Sequence, residues 1–276
     1  LNTQATYDKQ YIGHAGERRV LSQLIAKNAT EAAAGKAAAF KLLSDARNDF
    51  ARRWSYLKKG DPATGLPPAP ASVRPEMRAV QLDWERLLKN TDAILSSEQT
   101  VLSLHQVAAT LAETVPQLQV EYEKVVETLL QRGAPAAQVA MAQRQSLLAE
   151  RILGAVNTVL SGDENSQQAA DAFGRDAARF GQVLNGMLQG NAALRVSQVE
   201  DRDARARLIE ISELFEFVSG SVDEILETSP ELFKVRESAT NIFSLSQTLL
   251  DEASHLASGF ENLAGGRDTD TIGGYV

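Results

Sequence analysis

The chain contains no cysteine among its 276 residues, only 8 prolines, and aromatic residues at 6%. The lack of cysteine excludes disulfides, thiolate metal sites and cysteine nucleophiles. No uninterrupted run of about 18 apolar residues occurs, so the sequence predicts no membrane-spanning helix within these limits. Sustained alternation of β-branched and polar residues is also missing, which argues against strands.

The residues that are present favour a helical, globular chain. Hydrophobic residues make up 43% of the sequence, and alanine, leucine, glutamine, glutamate and arginine are abundant. These side chains lose little rotamer freedom in a helix, so the composition predicts an all-α protein. The net charge of −8 and the pI near 5.1 argue against a general affinity for nucleic acid, because phosphates require a basic surface.

Two parts of the sequence resemble each other. Residues 15–25 pair with residues 142–152 at an offset of 127, and residues 50–60 pair with residues 180–190 at an offset of 130. At an offset of 131, Trp84, Ile94, Leu111 and Leu118 fall opposite Phe215, Ile225, Ile242 and Leu249. This drift indicates a duplication with small loop insertions. We predict one helical repeat over 1–132, a second over 133–264, and a flexible tail over 265–276 that leads toward a missing membrane span.

Each repeat is predicted to contain four helices. In the first repeat they cover about 6–33, 36–59, 74–95 and 97–131; in the second they cover about 136–160, 165–189, 192–227 and 230–263. Pro230 suits a first helical turn, and Gly265-Gly266 is expected to end regular structure. A helix of about 35 residues spans roughly 50 Å, which is long for a compact domain. The pattern therefore predicts elongated, tandem four-helix bundles with long helices.

The sequence offers no arrangement of catalytic or metal-binding residues. Of its three histidines, only His255 follows a glutamate, Glu252, at the Glu-x-x-His spacing, and a di-iron bundle needs two such pairs and two further carboxylates. No phosphate-binding glycine loop and no Gly-x-Ser-x-Gly elbow occurs. We therefore predict a protein that is not an enzyme and holds no metal or cofactor.

Arg18 and Arg19 are the residues best suited to hold a ligand. A guanidinium group is a fixed fork of donors that matches small oxyanions, and adjacent helical residues point about 100° apart. One arginine can thus face a partner while the other meets water. A solvated pair beside Glu17 is the alternative interpretation. The aromatic residues that could line a cleft are interpreted as core instead; they are Phe40, Trp54, Tyr56 and Trp84.

Residues 15–26 resemble the signature Ala-Gly-Arg-Gln-Arg-Met-Leu-Ser-Gln-Arg-Ile-Ala of the periplasmic N-terminal domain of type IV pilus chemotaxis transducers, the PilJ family. The resemblance implies the periplasmic sensor region of an inner-membrane methyl-accepting chemoreceptor that controls twitching motility and surface sensing. Its membrane anchors would lie outside this chain. In related nitrate and nitrite sensors the arginine that aligns with Arg19 binds the anion, so Arg18, Arg19 and Ser22 are the candidate ligand-binding residues.

The family signature is altered here, which bears on what is sensed. Glu17 and Leu24 stand where the family has arginine, and Ser146 takes the anion-binding position in the second copy. The resemblance therefore implies contact with the major pilin subunit rather than with nitrate. A receptor for a small anion or metabolite and a non-sensing helical spacer remain alternatives.

The resemblance also implies a homodimer in the intact receptor, with Arg19 near the two-fold axis, and a weak dimer or monomer for this fragment. Seven glycines lie inside or beside helices, at positions 13, 16, 35, 154, 181, 186 and 220. Each costs about 0.5–1 kcal/mol relative to alanine, so they favour a sensor over a stiff spacer.

Overall fold

The computed structural model describes residues 2–273 and the side chains of residues 3–266. Two isolated β-bridges are the only β pairing in this part of the chain, which confirms the all-α prediction. A short 3₁₀ helix, Ala71–Val73, precedes the third of seven α-helices. The α-helices are α1 (Asn2–Ala33), α2 (Ala37–Lys59), α3 (Arg74–Ser96), α4 (Glu98–Gln131), α5 (Ala136–Ser161), α6 (Ser166–Gln189) and α7 (Arg202–Gly273).

Helix α7 is longer than the sequence predicts. It runs for 72 residues through Pro230, so the predicted break before this proline is wrong. Pro230 has no N–H for the carbonyl of Leu226, and the hydroxyl of Ser229 donates to that carbonyl instead, at 3.2 Å. The helix also continues through Gly265 and Gly266, contrary to the expected end of regular structure there. Residues 274–276 lie outside the described residues.

Another difference concerns the start of α7, which was expected near Ala192 and lies at Arg202. The intervening segment repeats the loop after α2. Both loops begin with a glycine at positive φ, Gly60 at +84° and Gly190 at +83°. Each continues with a β-bridge, Asp61 to Leu66 in one and Asn191 to Val196 in the other. The loops agree with the predicted offset of 130, but the second lacks the prolines that mark the first as a loop in the sequence.

The chain forms two compact units. Unit 1 contains α1, α2, α3 and the part of α7 that begins at Val235, while unit 2 covers Gln99–Lys234 and so contains nearly all of α4, α5, α6 and the earlier part of α7. Each unit thus has four helical segments. In each unit, three segments come from one predicted repeat and one segment comes from the other: the end of α7 in unit 1, and α4 in unit 2. The repeat boundary after residue 132 stays a prediction about the sequence, because the two compact units are divided at other positions, after Glu98 and after Lys234.

No described helix, α7 included, combines the length and the apolar run that crossing a membrane would require. In unit 1, α1 instead presents an inner face with a buried side chain every three or four residues. These residues are at most 1% exposed; they are Tyr11, Ala15, Arg18, Ser22, Ile25 and Ala29. This spacing is the stripe that an amphipathic helix turns toward its core. One of its members is an arginine, and that residue defines the candidate site.

Candidate functional site

The three predicted ligand-binding residues occupy one turn of α1 but do not converge. Arg18 and Ser22 are buried on the inner face, at 1% and 0% exposed, whereas Arg19 is exposed. The Ser22 hydroxyl donates to the backbone carbonyl of Arg19 at 2.8 Å, so its proton is used within the helix. Within this chain, Arg18 faces other side chains and Arg19 faces outward.

The guanidinium of Arg18 lies between aromatic rings of α2. Its Cζ is 4.0 Å from the centroid of the Phe50 ring and 4.5 Å from that of Trp54. Phe50 and Trp54 are one helical turn apart, and both stack on Trp84 of α3, at centroid distances of 6.3 Å and 5.9 Å. A cation over an aromatic face is attracted by the ring quadrupole, which stabilises the charge without a carboxylate. We call Phe50, Trp54 and Trp84 the aromatic box.

The hydrogen-bonding groups of Arg18 are not all used. Its Nε and Nη2 atoms are buried and have no hydrogen-bond partner among the described residues. Burial lowers the pKa of Arg18 to about 9, which still leaves the guanidinium protonated at neutral pH. Burying a charge costs free energy, and the attraction between the guanidinium and the ring faces offsets part of this cost. Arg18 is therefore held in the core by its aromatic surroundings.

Unit 2 has a neutral residue at the corresponding position. The offset of 127 pairs Arg18 with Gln145, which is also 1% exposed. The Nε2 atom of Gln145 donates to the carbonyl of Phe180 at 2.8 Å and to the hydroxyl of Tyr122 at 3.1 Å. Burial raises the pKa of Tyr122, so its hydroxyl stays neutral. Gln145 thus has partners for its amide hydrogens, whereas Arg18 lacks them for two of its nitrogens.

Sequence reasoning missed Gln145, although the repeat contained the signal. The offset of 127 pairs Arg18 with Gln145, and the offset of 130 further along the chain pairs Phe50 with Phe180 and Trp54 with Leu184. The second copy therefore keeps one aromatic neighbour and replaces the other by an aliphatic one. Only the structure shows that this difference accompanies a change from a charged to a neutral core residue.

Two carboxyl groups meet elsewhere in unit 1. Glu252 of α7 is partly exposed, but its Oε2 atom is buried and lacks a hydrogen-bond partner in the described part of the chain. Burial, and after it the nearby carboxyl group of Asp83, raise the pKa of Glu252 from 4.5 to about 7. Among the described residues, no group of three or more histidine, aspartate or glutamate side chains is placed to hold a metal ion.

We expect this pair to make stability pH-dependent. The folded state binds the Glu252 proton more tightly than the unfolded state, so the contribution is fully present below pH 4.5 and is lost as the pH rises through about 7. Because the carboxyl is partly solvated, we expect a loss of only about 1 kcal/mol. Urea unfolding at about pH 5 and about pH 8 measures it, and Glu252→Gln should remove this component. An equal change in the control Asp251→Asn would contradict the assignment to Glu252.

Comparison with known proteins finds similarity to chemotaxis proteins. Residues 1–110 match the family model PilJ, described as the N-terminal part of type IV pili methyl-accepting chemotaxis transducers. Over all 276 residues the chain is 72% identical to protein PilJ of Pseudomonas aeruginosa strain PAO1, and it covers 40% of that protein. It is also 49% identical over 265 residues to a protein of Alcanivorax borkumensis strain SK2 named as a methyl-accepting chemotaxis AlkN.

The match to the second relative includes 96% of this chain and 38% of that protein. The chain therefore spans about two fifths of the length of the relatives it matches. The family match includes the segment that carries Arg18, Arg19 and Ser22. It is a family of transducers and not of enzymes.

Proposed function

Since this chain belongs to the PilJ family of type IV pili methyl-accepting chemotaxis transducers, we propose that it is the sensory region of such a transducer. In this proposal the region lies in the periplasm, is anchored in the inner membrane by segments outside the chain, and controls twitching motility and surface sensing. It acts as a homodimer in the intact receptor. The identity of 72% over the whole chain is the observation that carries the proposal.

The glycines of the helices support sensing rather than stiffness, but not all of them do so. A Cβ atom on Gly181 would lie 2.8 Å from the Phe215 ring, so this glycine is required for close packing. Gly13, Gly16 and Gly220 have open space where a Cβ would lie. Alanine would fit there and would stabilise the helices, so their glycines are consistent with a chain that changes between packings.

We propose the major pilin subunit as the partner, bound as an apolar helix in a groove of unit 2. The groove lies between α4 and α7 and has a volume of about 720 Å³. Its apolar floor is formed by Pro116, Val120 and Leu214, and the carboxylates of Glu210 and Glu213 line it. Val120 is 47% exposed, so its apolar surface is available to a partner. A helix can lay its apolar face into such a groove.

A charge on the floor of this groove should weaken the contact. We expect Val120→Asp to reduce the affinity for purified pilin at least about ten-fold, because a carboxylate would be desolvated beneath the bound helix. Interferometry with immobilised pilin measures the effect. The matched control is Leu130→Asp, since Leu130 is also on α4, is 62% exposed and does not line the groove. Equal affinities for the two variants would contradict docking in the groove.

The small-anion alternative is favoured by one observation, the buried Arg18 with two unpartnered nitrogens. The variant Arg19→Ala of the intact receptor distinguishes this alternative from pilin sensing. If this variant keeps pilin binding and surface signalling but loses its response to a defined anion, the anion is the primary input. If Arg19→Ala changes nothing while Val120→Asp removes pilin contact, the signature of α1 acts only in packing.

A further inference from the structure

A second concave site lies in unit 1, between the end of α2 and the start of α3. It is a cleft of about 280 Å³. Its apolar wall is formed by Trp54, Leu57 and Met77, which are 4%, 0% and 8% exposed. The volume is near the lower end of the range for ligand pockets, so the cleft fits a small molecule.

The rim of this cleft is cationic. Lys58 of α2 and Arg74 and Arg78 of α3 line it, and no acidic side chain of the described residues does. Arg74 and Arg78 are one turn apart and so share a face of α3. All three side chains are exposed, and none of these side chains forms an ion pair or hydrogen bond within the described part of the chain. The chain as a whole carries a net charge of −8, whereas the lining of this cleft is locally cationic.

The fold supplies two further features that suit an anion. The cleft lies at the amino end of α3, where the helix dipole contributes partial positive charge. The amide side chain of Gln81 also lines it; its Nε2 atom donates one hydrogen to the carboxylate of Glu85 at 3.1 Å and has a second hydrogen for a ligand. The guanidinium forks and the ammonium group of Lys58 match planar carboxylates, while the wall matches an apolar body.

We propose that this cleft binds a small organic anion that combines carboxylates with an apolar or aromatic body. The cations hold the carboxylates, and the body packs on Trp54 and Met77. The proposal goes beyond pilin contact, because it concerns a different unit and requires no partner protein. Trp54 also forms part of the aromatic box, so an occupant of the cleft would contact the wall on which Arg18 rests.

The test uses the aromatic tricarboxylate trimesate as the probe, with its uncharged triamide and inorganic phosphate as comparisons. We expect saturable binding of trimesate by calorimetry, weaker binding of phosphate, and no binding of the triamide. The chain has two tryptophans, so a Trp84→Phe variant leaves Trp54 as the sole reporter, and its emission should change on binding. Raising the salt to about 0.15 M should weaken the affinity, because the cations are exposed.

Single substitutions then locate the site. We expect Lys58→Gln, Arg74→Gln and Arg78→Gln each to weaken trimesate binding about ten-fold. Lys59→Gln is the matched control, since Lys59 is the exposed neighbour of Lys58 and does not line the cleft. Circular dichroism verifies that each variant is folded. Absence of saturable binding, equal losses in Lys58→Gln and Lys59→Gln, or phosphate binding as tight as trimesate would overturn the proposal.

Discussion

The substitution Gln145→Arg is expected to lower the free energy of unfolding by roughly 3 kcal/mol or more, because it places a charge in the core of unit 2. Gln145 is 1% exposed, and its amide is matched to the Phe180 carbonyl and the Tyr122 hydroxyl. An arginine there would keep the Phe180 ring but would find Leu184 where unit 1 has Trp54. It would carry the desolvation cost of Arg18 with fewer aromatic contacts.

The control Gln143→Arg makes the same chemical change two residues earlier in α5, at an exposed position. We expect it to alter stability by at most about 0.5 kcal/mol. Urea unfolding followed by circular dichroism gives the magnitude, and hydrogen exchange of α5 and α6 shows whether the loss is confined to unit 2. If Gln145→Arg were as stable as the parent chain, a buried guanidinium would not need the aromatic box.

The second large effect is expected for Gly60→Ala. Gly60 has φ of +84° and ψ of 176°, and an added Cβ would lie 2.3 Å from the carbonyl oxygen of Leu66. Backbone strain of this kind costs about 1–3 kcal/mol, and the clash with backbone adds to it because the loop must move. We expect a total loss of at least about 3 kcal/mol. The loop carries Pro68 and Ala69 into the cleft, so trimesate binding should weaken as well.

The variant Gly190→Ala measures the cost of backbone strain without the steric clash that Gly60→Ala adds. Gly190 has φ of +83°, but its added Cβ would find its nearest atoms at 3.9 Å, which is ordinary contact. We expect the strain cost alone, about 1–3 kcal/mol, and unchanged trimesate binding, since the loop belongs to unit 2. Thermal unfolding of both variants tests the difference. Equal losses would show that the loop after α2 relaxes without cost.

The sequence predicts the residues of the candidate site but not which of the two arginines is buried. The resemblance singled out Arg18, Arg19 and Ser22, and the pair was expected to point in different directions, as it does. The signature favoured Arg19 as the ligand-binding residue. The buried spacing of Tyr11, Ala15, Arg18, Ser22 and Ile25 was present in the sequence and indicates Arg18 as the inward residue. A charged side chain contradicts the apolar pattern of these buried positions. Only the aromatic rings of α2, which lie beside Arg18 in the structure, explain why an arginine can be buried there.

The errors in the fold have similar causes. Pro230 predicts a helix start because proline suits the first helical turn, but α7 continues through it because the Ser229 hydroxyl satisfies the carbonyl that the proline leaves without a donor. The segment after Gly190 contains alanine and leucine and no proline, a composition that favours helix. Its bridge between Asn191 and Val196 depends on the chain folding back on itself, which local propensity does not report.

The sequence by itself determined the all-α class and nearly all ends of the first six helices, because these depend on residues that are neighbours along the chain. Only the tertiary structure decided which helices share a core. The fourth segment of unit 1 begins at Val235, more than a hundred residues after α3, and contacts over such separations leave no local pattern. The same holds for Arg18 and Gln145. Their positions in the buried stripes of α1 and α5 indicate that both side chains are buried. Only contacts with other helices show that the Arg18 charge packs on an aromatic ring and that the Gln145 amide donates to a backbone carbonyl.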